Sequence, residues 1–345
     1  MAGGGGIHPP EQIGLWDPET GSRSDIPAIA GQTCYAAFSP DGPRVMERCD
    51  GDYLWRTPSN SPKPAIALWD LSSGSWISPP VYAQGAVWGG AFSPDGRTFA
   101  TSSDDYFPRN VAAGAKTSTV TVWDTASLQP VAHYHLMGTA ELDTGVAYSP
   151  DGRLLAAVTN GGTPDFRVWD LTTGDLVAAP EGGGKHQIDA WSIAFSPDGR
   201  TLAVALSTGT VRFLDTSTWK DELAPIQGVG ESPSIAYSAD GSLFAIADAG
   251  RVSLWDGRSS HRLGTYYQGP PEDQYGTVRF LPDGRIILLT AYAPDGSSEP
   301  AFLFRTDVSS WKAQACSIIG DITAEQWRSL APEETFRSVC ATSTQ

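Results

Sequence analysis

Few residues of this chain have the types and spacing that chemistry requires. Gly182-Gly183-Gly184-Lys185 comes nearest to a phosphate loop, in which backbone N–H groups cradle phosphates and a lysine meets their charge. The glycine spacing is wrong, and His186 stands where a Ser or Thr would reach magnesium, so the run reads as a connecting loop. His133-Tyr134-His135 sets two imidazoles on one side of a strand, a spacing open to a transition metal. With no Cys or third His nearby, a solvated outer strand is the simpler account. There is no Gly-x-Ser-x-Gly elbow for a nucleophilic serine, and the carboxylates are scattered through turns rather than paired for acid–base work. The sequence therefore assigns no catalytic, cofactor-binding or metal-binding residue.

Interface chemistry is better represented. Aromatic residues and arginine on exposed loops are the types that anchor partners. Tyr53 and Trp55 lie in the stretch Asp50 to Pro64, and Tyr106, Phe107 and Arg109 in Asp104 to Ser118. Trp88 and Trp191 stand at the start of strands, where they either line the same mouth or fill gaps between repeats. The plainer account of both stretches is drift, with aromatics that only pack on a rim. The four cysteines form two groups. Folding the chain back at Ser39 to Gly42 sets Cys34 opposite Glu47 and leaves Cys49 a diagonal away, too far for an easy disulfide. Cys316 and Cys340 bracket the C-terminal segment and can approach each other, although a reducing cytosol opposes a bridge.

The elements that position these residues are read from turns. Ser93-Pro94-Asp95-Gly96 predicts a tight reversal: proline presets φ, aspartate bonds its own backbone, and glycine takes positive φ. Such turns recur at Ser39 to Gly42, Ser149 to Gly152 and Ser196 to Gly199, with variants at Ser238 to Gly241 and Leu281 to Gly284. Each precedes a Trp-Asp ending or a worn copy: Trp69-Asp70, Trp123-Asp124, Trp169-Asp170, Leu214-Asp215, Trp255-Asp256 and Phe304-Arg305. The unit recurs every roughly 41 to 56 residues, near the length of a four-stranded propeller blade. Before each turn stands a large residue (Phe38, Phe92, Tyr148, Phe195, Tyr237, Phe280), which in the first five follows an alanine (Ala37, Ala91, Ala147, Ala194, Ala236), as suits the innermost strand of a tapering blade. The Trp and Asp residues are thus core and turn residues, each Asp accepting backbone N–H bonds from the residues after it. Short second-to-third connections, as in Ser207-Thr208-Gly209 and Asp248-Ala249-Gly250, contrast with the two long insertions, which share one rim opposite the Ser-Pro-Asp-Gly turns.

These repeats resemble the WD-repeat family of β-propellers from about Ile13 to Arg305. The resemblance implies an all-β propeller that serves as an interaction platform. The Gly-His dipeptide expected ahead of each first strand is absent, so the family's Trp-Ser-His-Asp hydrogen-bond tetrad does not transfer. Six turns accompany seven Trp-Asp-like endings, Ile13-Gly14-Leu15-Trp16-Asp17 being the unaccompanied one. Seven blades are expected, with six as the alternative. Residues 1–12 read as a loose glycine-rich lead and 13–305 as the propeller. Residues 306–345 read as a short helical tail, with a capping box at Thr323-Ala-Glu-Gln326. From Trp311 to Cys340 the tail resembles the propeller end of bacterial STAND-class signalling ATPases, which implies a sensing arm whose nucleotide is bound elsewhere.

Charge narrows the partners. A formal net charge of −16 repels a phosphate backbone, and no Lys/Arg cluster offsets it, so nucleic acid is not expected. No export signal or membrane-length apolar run occurs, which leads to the expectation of a cytoplasmic protein. The function expected is a non-enzymatic module that binds a protein partner or small ligand on its insertion-bearing face. The alternative is a propeller-fold hydrolase, isomerase or lyase with its site in the central channel. Such a site needs convergent His, Glu or Asp on the innermost strands, which here carry Ala, Gly, Ser and aromatics.

Overall fold

The reversals at Ser93, Ser149, Ser196 and Ser238 are each built around a serine hydroxyl. The Ser93 hydroxyl donates to the Asp95 carboxylate (2.7 Å) and accepts from the N–H of Thr98 (3.0 Å). Gly96, at φ 64°, donates its N–H to the Ser93 carbonyl, a backbone conformation that favours a residue without Cβ. The same unit recurs at Ser149 with Asp151 and Leu154, Ser196 with Asp198 and Thr201, and Ser238 with Asp240 and Leu243.

The computed structural model describes residues 2–3, 12–17, 20, 22–29, 34–40, 42–49, 65–82, 87–104, 117–137, 145–158, 166–179, 190–230, 233–248, 251–268, 276–281, 286–290 and 302–304. Their strands pair antiparallel throughout and form seven sheets, numbered here in chain order. Sheet 1 holds Ala2–Gly3, Gln12–Trp16 and Arg23–Pro27. Sheet 2 holds Cys34–Phe38, Arg44–Cys49, Ala65–Asp70 and Ser75–Trp76, with Val81–Tyr82 also pairing on its third strand. Sheet 3 runs through Val87–Phe92, Thr98–Asp104, Thr117–Asp124 and Pro130–Met137, and sheet 4 through Val146–Tyr148, Leu154–Val158, Phe166–Asp170 and Leu176–Ala178. Sheet 5 comprises Ala190–Phe195, Thr201–Leu206, Thr210–Asp215 and Ile226–Gln227, and sheet 6 Ser234–Tyr237, Leu243–Asp248, Arg251–Asp256 and Arg262–Gln268. Sheet 7 has Gly276–Phe280, Ile286–Thr290 and Phe302–Phe304.

Successive sheets pack face to face, and from sheet 3 onward each first strand lies against the first and second strands of the sheet before it. The core is therefore divided among the interfaces. Leu154, Ala156 and Val158 of sheet 4 meet Leu202, Val204 and Leu206 of sheet 5, while Ala203 and Ala205 turn the other way, to Ile235, Phe244 and Ile246 of sheet 6. Burial on both faces explains why second strands such as Leu154-Leu155-Ala156-Ala157-Val158 are apolar without interruption. The tryptophans of the Trp-Asp endings face the preceding sheet: Trp123 packs with Met46, Ile66 and Leu68, and Trp169 with Val120 and Val122. Trp123 also donates its indole N–H to Thr101 Oγ1 (2.9 Å), a tryptophan–threonine pair inside a fold where no full tetrad was expected.

The aspartates close the following turn. Asp70 accepts the N–H groups of Ser72 and Ser73, Asp215 those of Ser217 and Thr218, and Asp256 those of Arg258 and Ser259. Leu214-Asp215, the worn copy, makes the same turn as the tryptophan versions.

Two expectations are corrected, and two residues of the expected lead are found paired. The first turn closes on Ser39 and Arg44 through a backbone bond of 2.8 Å, so four residues, not two, lie between the closing pair. That shift of two places Cys34 opposite Cys49 and Ala36 opposite Glu47, and Cys49 is disulfide-bonded. Ala2 and Gly3, read as part of a loose lead, pair with Leu15 and Gly14. Asp104 and Ser118, read as the ends of an insertion, pair with each other as the last rung of their ladder. The tail, with Cys316 and Cys340, lies outside the described residues, as does the loop Gly182 to His186.

Because one hydroxyl carries both the carboxylate bond and the backbone bond, Ser196→Ala is expected to lower unfolding stability by about 1–2 kcal/mol, read from urea denaturation. Ser196→Thr, which keeps the hydroxyl, should recover part of the loss.

Candidate functional site

Antiparallel order divides the molecule into two ends. At one end the serine turns and aspartate turns bond to each other: Thr125 N–H to Arg97 O, Leu171 to Arg153, Thr216 to Arg200 and Gly257 to Ser242, all at 2.8 to 2.9 Å. Hydroxyl and amide donors hold these carboxylates below their ordinary range. The Ser93 hydroxyl does so for Asp95 and that of Ser196 for Asp198. The Ser238 hydroxyl, with the Ser242 N–H, brings Asp240 down to about 2. A groove of about 500 Å³ opens here between sheets 4 and 5, lined by Ser149, Asp151, Arg153, Asp198 and Thr216. Its polar atoms are engaged in turn closure, as in the Thr216 hydroxyl bond to Gly199 O (2.7 Å).

The other end carries the second-to-third connections and the links between sheets. Here the first strands of sheets 3 and 5 each contain a bulge. Val87 pairs with Ser103 and Gly89 with Ser102, which leaves Trp88 without a rung. Ala190 pairs with Leu206 and Ser192 with Ala205, which leaves Trp191 in the same position. A bulge adds a residue to one strand and re-aims its side chain. Trp191 is half-buried, and its indole N–H is enclosed without a hydrogen-bond partner. The sequence named both tryptophans without finding the bulges. The side chain of Trp88, and all of Tyr53, Trp55, Tyr106, Phe107 and Arg109, lie outside the described residues.

Polar side chains stitch neighbouring sheets near this end. Arg48 donates to Val87 O (2.9 Å) and Arg167 to His135 O (3.0 Å). Ser192 Oγ accepts from Ile235 N–H (3.3 Å), and Ser234 Oγ from Val278 N–H (3.2 Å). Asp248, buried at the rim, takes Arg251 in a two-pronged ion pair and the N–H of Gly230. His133 and His135 are exposed on the outer strand of sheet 3, His133 Nδ1 lying 3.1 Å from Thr121 Oγ1. Among the described residues no three His, Cys, Asp or Glu side chains are grouped to hold a metal ion. No helix among them is long and apolar enough to cross a membrane.

Glu47 was not singled out by its sequence. It is fully buried, and both carboxylate oxygens lack a hydrogen-bond partner. Its place between Val45 and Cys49 on the strand turns it toward Ile13, Leu15, Ile26 and Ile29 of sheet 1. Desolvation pushes its pKa up to about 8, against a weaker opposing pull from the backbone N–H of Ile29. The signal available was period two: Val45, Glu47 and Cys49 share a face whose other members are apolar.

Stability should therefore peak between these two titrations and fall on either side. A carboxyl whose folded pKa is raised binds a proton in the native state that the unfolded state releases, so stability declines as pH climbs from 4.5 and levels off above about 8. The depressed turn carboxylates act oppositely, losing their contribution as pH drops below 3.8. In thermal melts across this range, Glu47→Gln is expected to abolish the alkaline decline and leave the acid limb unchanged.

No match to a curated protein was found. Residues 184–215, which run through the first three strands of sheet 5, match the family model described as WD domain, G-beta repeat, and sheets 3, 4 and 6 repeat that segment's turn and cap hydrogen bonds.

Proposed function

We propose that this chain is a non-enzymatic interaction module that holds a protein partner or small ligand at its loop-bearing end. The observation that carries the reading is the pair of equivalent bulges, which sets Trp88 and Trp191 at the same station on two first strands. Large amphipathic side chains on a rigid strand are what interface anchors are made of. The strands Arg44–Cys49 and Thr98–Asp104, which lead into the segments that carry Tyr53, Trp55, Tyr106, Phe107 and Arg109, end at this rim, which supports including those residues in the site. The match over 184–215 supports an interaction role rather than a catalytic one. Seven sheets favour seven blades over six. The C-terminal pattern from Trp311 to Cys340 supports a place as the sensing arm of a larger bacterial signalling ATPase.

Affinity capture from a bacterial lysate with wild type, Trp191→Ala and a variant with Tyr53, Trp55, Tyr106 and Phe107 all changed to Ala tests this. The partner is then purified and its affinity measured. At least tenfold weaker binding is expected for each variant, with Arg153→Ala at the opposite end unaffected. Variants that stay folded and keep wild-type affinity would refute the rim as the site.

A further inference from the structure

We propose that Cys34 and Cys49 are joined by a disulfide that acts as a redox-dependent staple, closing the strand ladder of sheet 2 beside the buried Glu47. Cys34 begins its strand and Cys49 ends the next, so they form the terminal rung of the hairpin, directly opposite one another. Cys49 is disulfide-bonded, and no described cysteine is free. The rung also has the right parity. Ser39 and Arg44 share a backbone hydrogen bond, and rungs alternate, so Cys34 and Cys49 fall at a non-hydrogen-bonded position. There Cα atoms stand about 4.5 Å apart and side chains are closest, within the span a disulfide bridges.

The location gives the bond its role. Glu47, two residues away on the same face, is a polar group that the strand must hold in an apolar seam without a hydrogen bond. At the matching rungs of sheets 4, 5 and 6 the apolar Ala157, Val204 and Ile246 fill the position, so apolar packing that docks those strands is replaced here by a desolvated carboxyl. A covalent link two rungs on opposes fraying. Full burial of Cys49 keeps solutes from the bond while the rung is closed, so reduction proceeds through opening of the strand end. In a reducing compartment, bridges of this kind are redox-responsive rather than permanent. Reduction by a dithiol proceeds by attack of one thiolate on a bridge sulfur, expelling the other cysteine as thiolate. The second thiol of the reagent then displaces the mixed disulfide. Two electrons and two protons pass to the cysteines, and the reagent leaves as its cyclic disulfide. A small-molecule disulfide such as oxidised glutathione reverses the exchange.

The full chain, alkylated without reductant, digested and mapped by mass spectrometry, should yield a Cys34–Cys49 linked peptide. Recovery of the two as alkylated thiols, or of either bridged to Cys316 or Cys340, overturns the assignment. Hydrogen exchange is then compared between oxidised and dithiol-reduced protein. Amides of 44–49 should exchange at least tenfold faster after reduction, those of 201–206 in sheet 5 should not change, and oxidised glutathione should restore the slow rate. Equal rates in both states, or failure to re-form the bond in folded protein, overturn the staple. The double variant Cys34→Ala, Cys49→Ala should match the reduced wild type whatever the buffer. The bridge closes a loop of about 15 residues, so the variant's unfolding equilibrium should move about a hundredfold toward the unfolded state.

Discussion

The structure depends on the serine hydroxyl that closes its turns, and in sheets 3 to 6 the proline of one such turn stands beside the glycine of the next. A Cβ placed on Gly152 would lie 3.6 Å from Cδ of Pro94, one on Gly199 3.6 Å from Pro150, and one on Gly241 3.4 Å from Pro197. Those glycines already hold left-handed backbone, at φ 74°, 71° and 69°. The serine hydroxyl fixes the shape of each of these turns, and a near-constant proline-to-glycine spacing marks the step from one turn to the next. With that step set at the turn end, the interfaces are free to differ in how they fill the space. Phe99 stacks on Trp123 within sheet 3, whereas Phe213 meets Phe244 edge-on between sheets 5 and 6.

The aspartate turns show where the backbone accepts strain and what it gains. Each needs a left-handed residue four places after the aspartate. Gly74 and Gly174 supply it, but in sheets 3, 5 and 6 the position holds Leu128, Trp219 and Ser260, at φ 53°, 57° and 54°. Left-handed backbone costs a non-glycine residue about 1 kcal/mol or more. Each of the three uses its side chain to reach the preceding sheet. Leu128 is buried with Met46 and Ile66, Trp219 packs on the core between sheets 4 and 5, and the Ser260 hydroxyl donates to Ala224 O. Burying a leucine contributes about 1.5–3 kcal/mol, enough to offset the strain.

Much of this frame was legible in the sequence because it is local. Serine, proline, aspartate and glycine at successive positions determine a turn whatever lies around them, and the aspartate caps need only the next few residues. What escaped were features that depend on two strands at once. The register of sheet 2 was misjudged by two because Ser39 bonds across the turn to Arg44, which lengthens the loop without changing its residues. The bulges at Trp88 and Trp191 are invisible along one strand, since only the rungs to Ser102, Ser103, Ala205 and Leu206 reveal the extra residue. The Trp123–Thr101 bond likewise joins residues on separate strands, and Thr101 in the sequence is one threonine among many.

The two ends differ in what their polar groups have left to offer. At the turn end most carboxylates and hydroxyls serve backbone closure with bonds that repeat from sheet to sheet, and among the described residues Thr125 Oγ1 and the Tyr237 hydroxyl are the buried exceptions without partners. At the loop end the repeat breaks down. Glu47, the Nε of Arg167 and the indole N–H of Trp191 are buried without partners, and each unmet group costs about 1–3 kcal/mol. Glu47 lies at the seam between sheets 1 and 2, where the first strand of sheet 1 contributes, among the described residues, Ala2 and Gly3. The same seam leaves Phe38 42% exposed, although its counterpart Phe195 is buried. It is on the strand of Glu47, two rungs beyond it and on the same face, that the chain places its bonded cysteine.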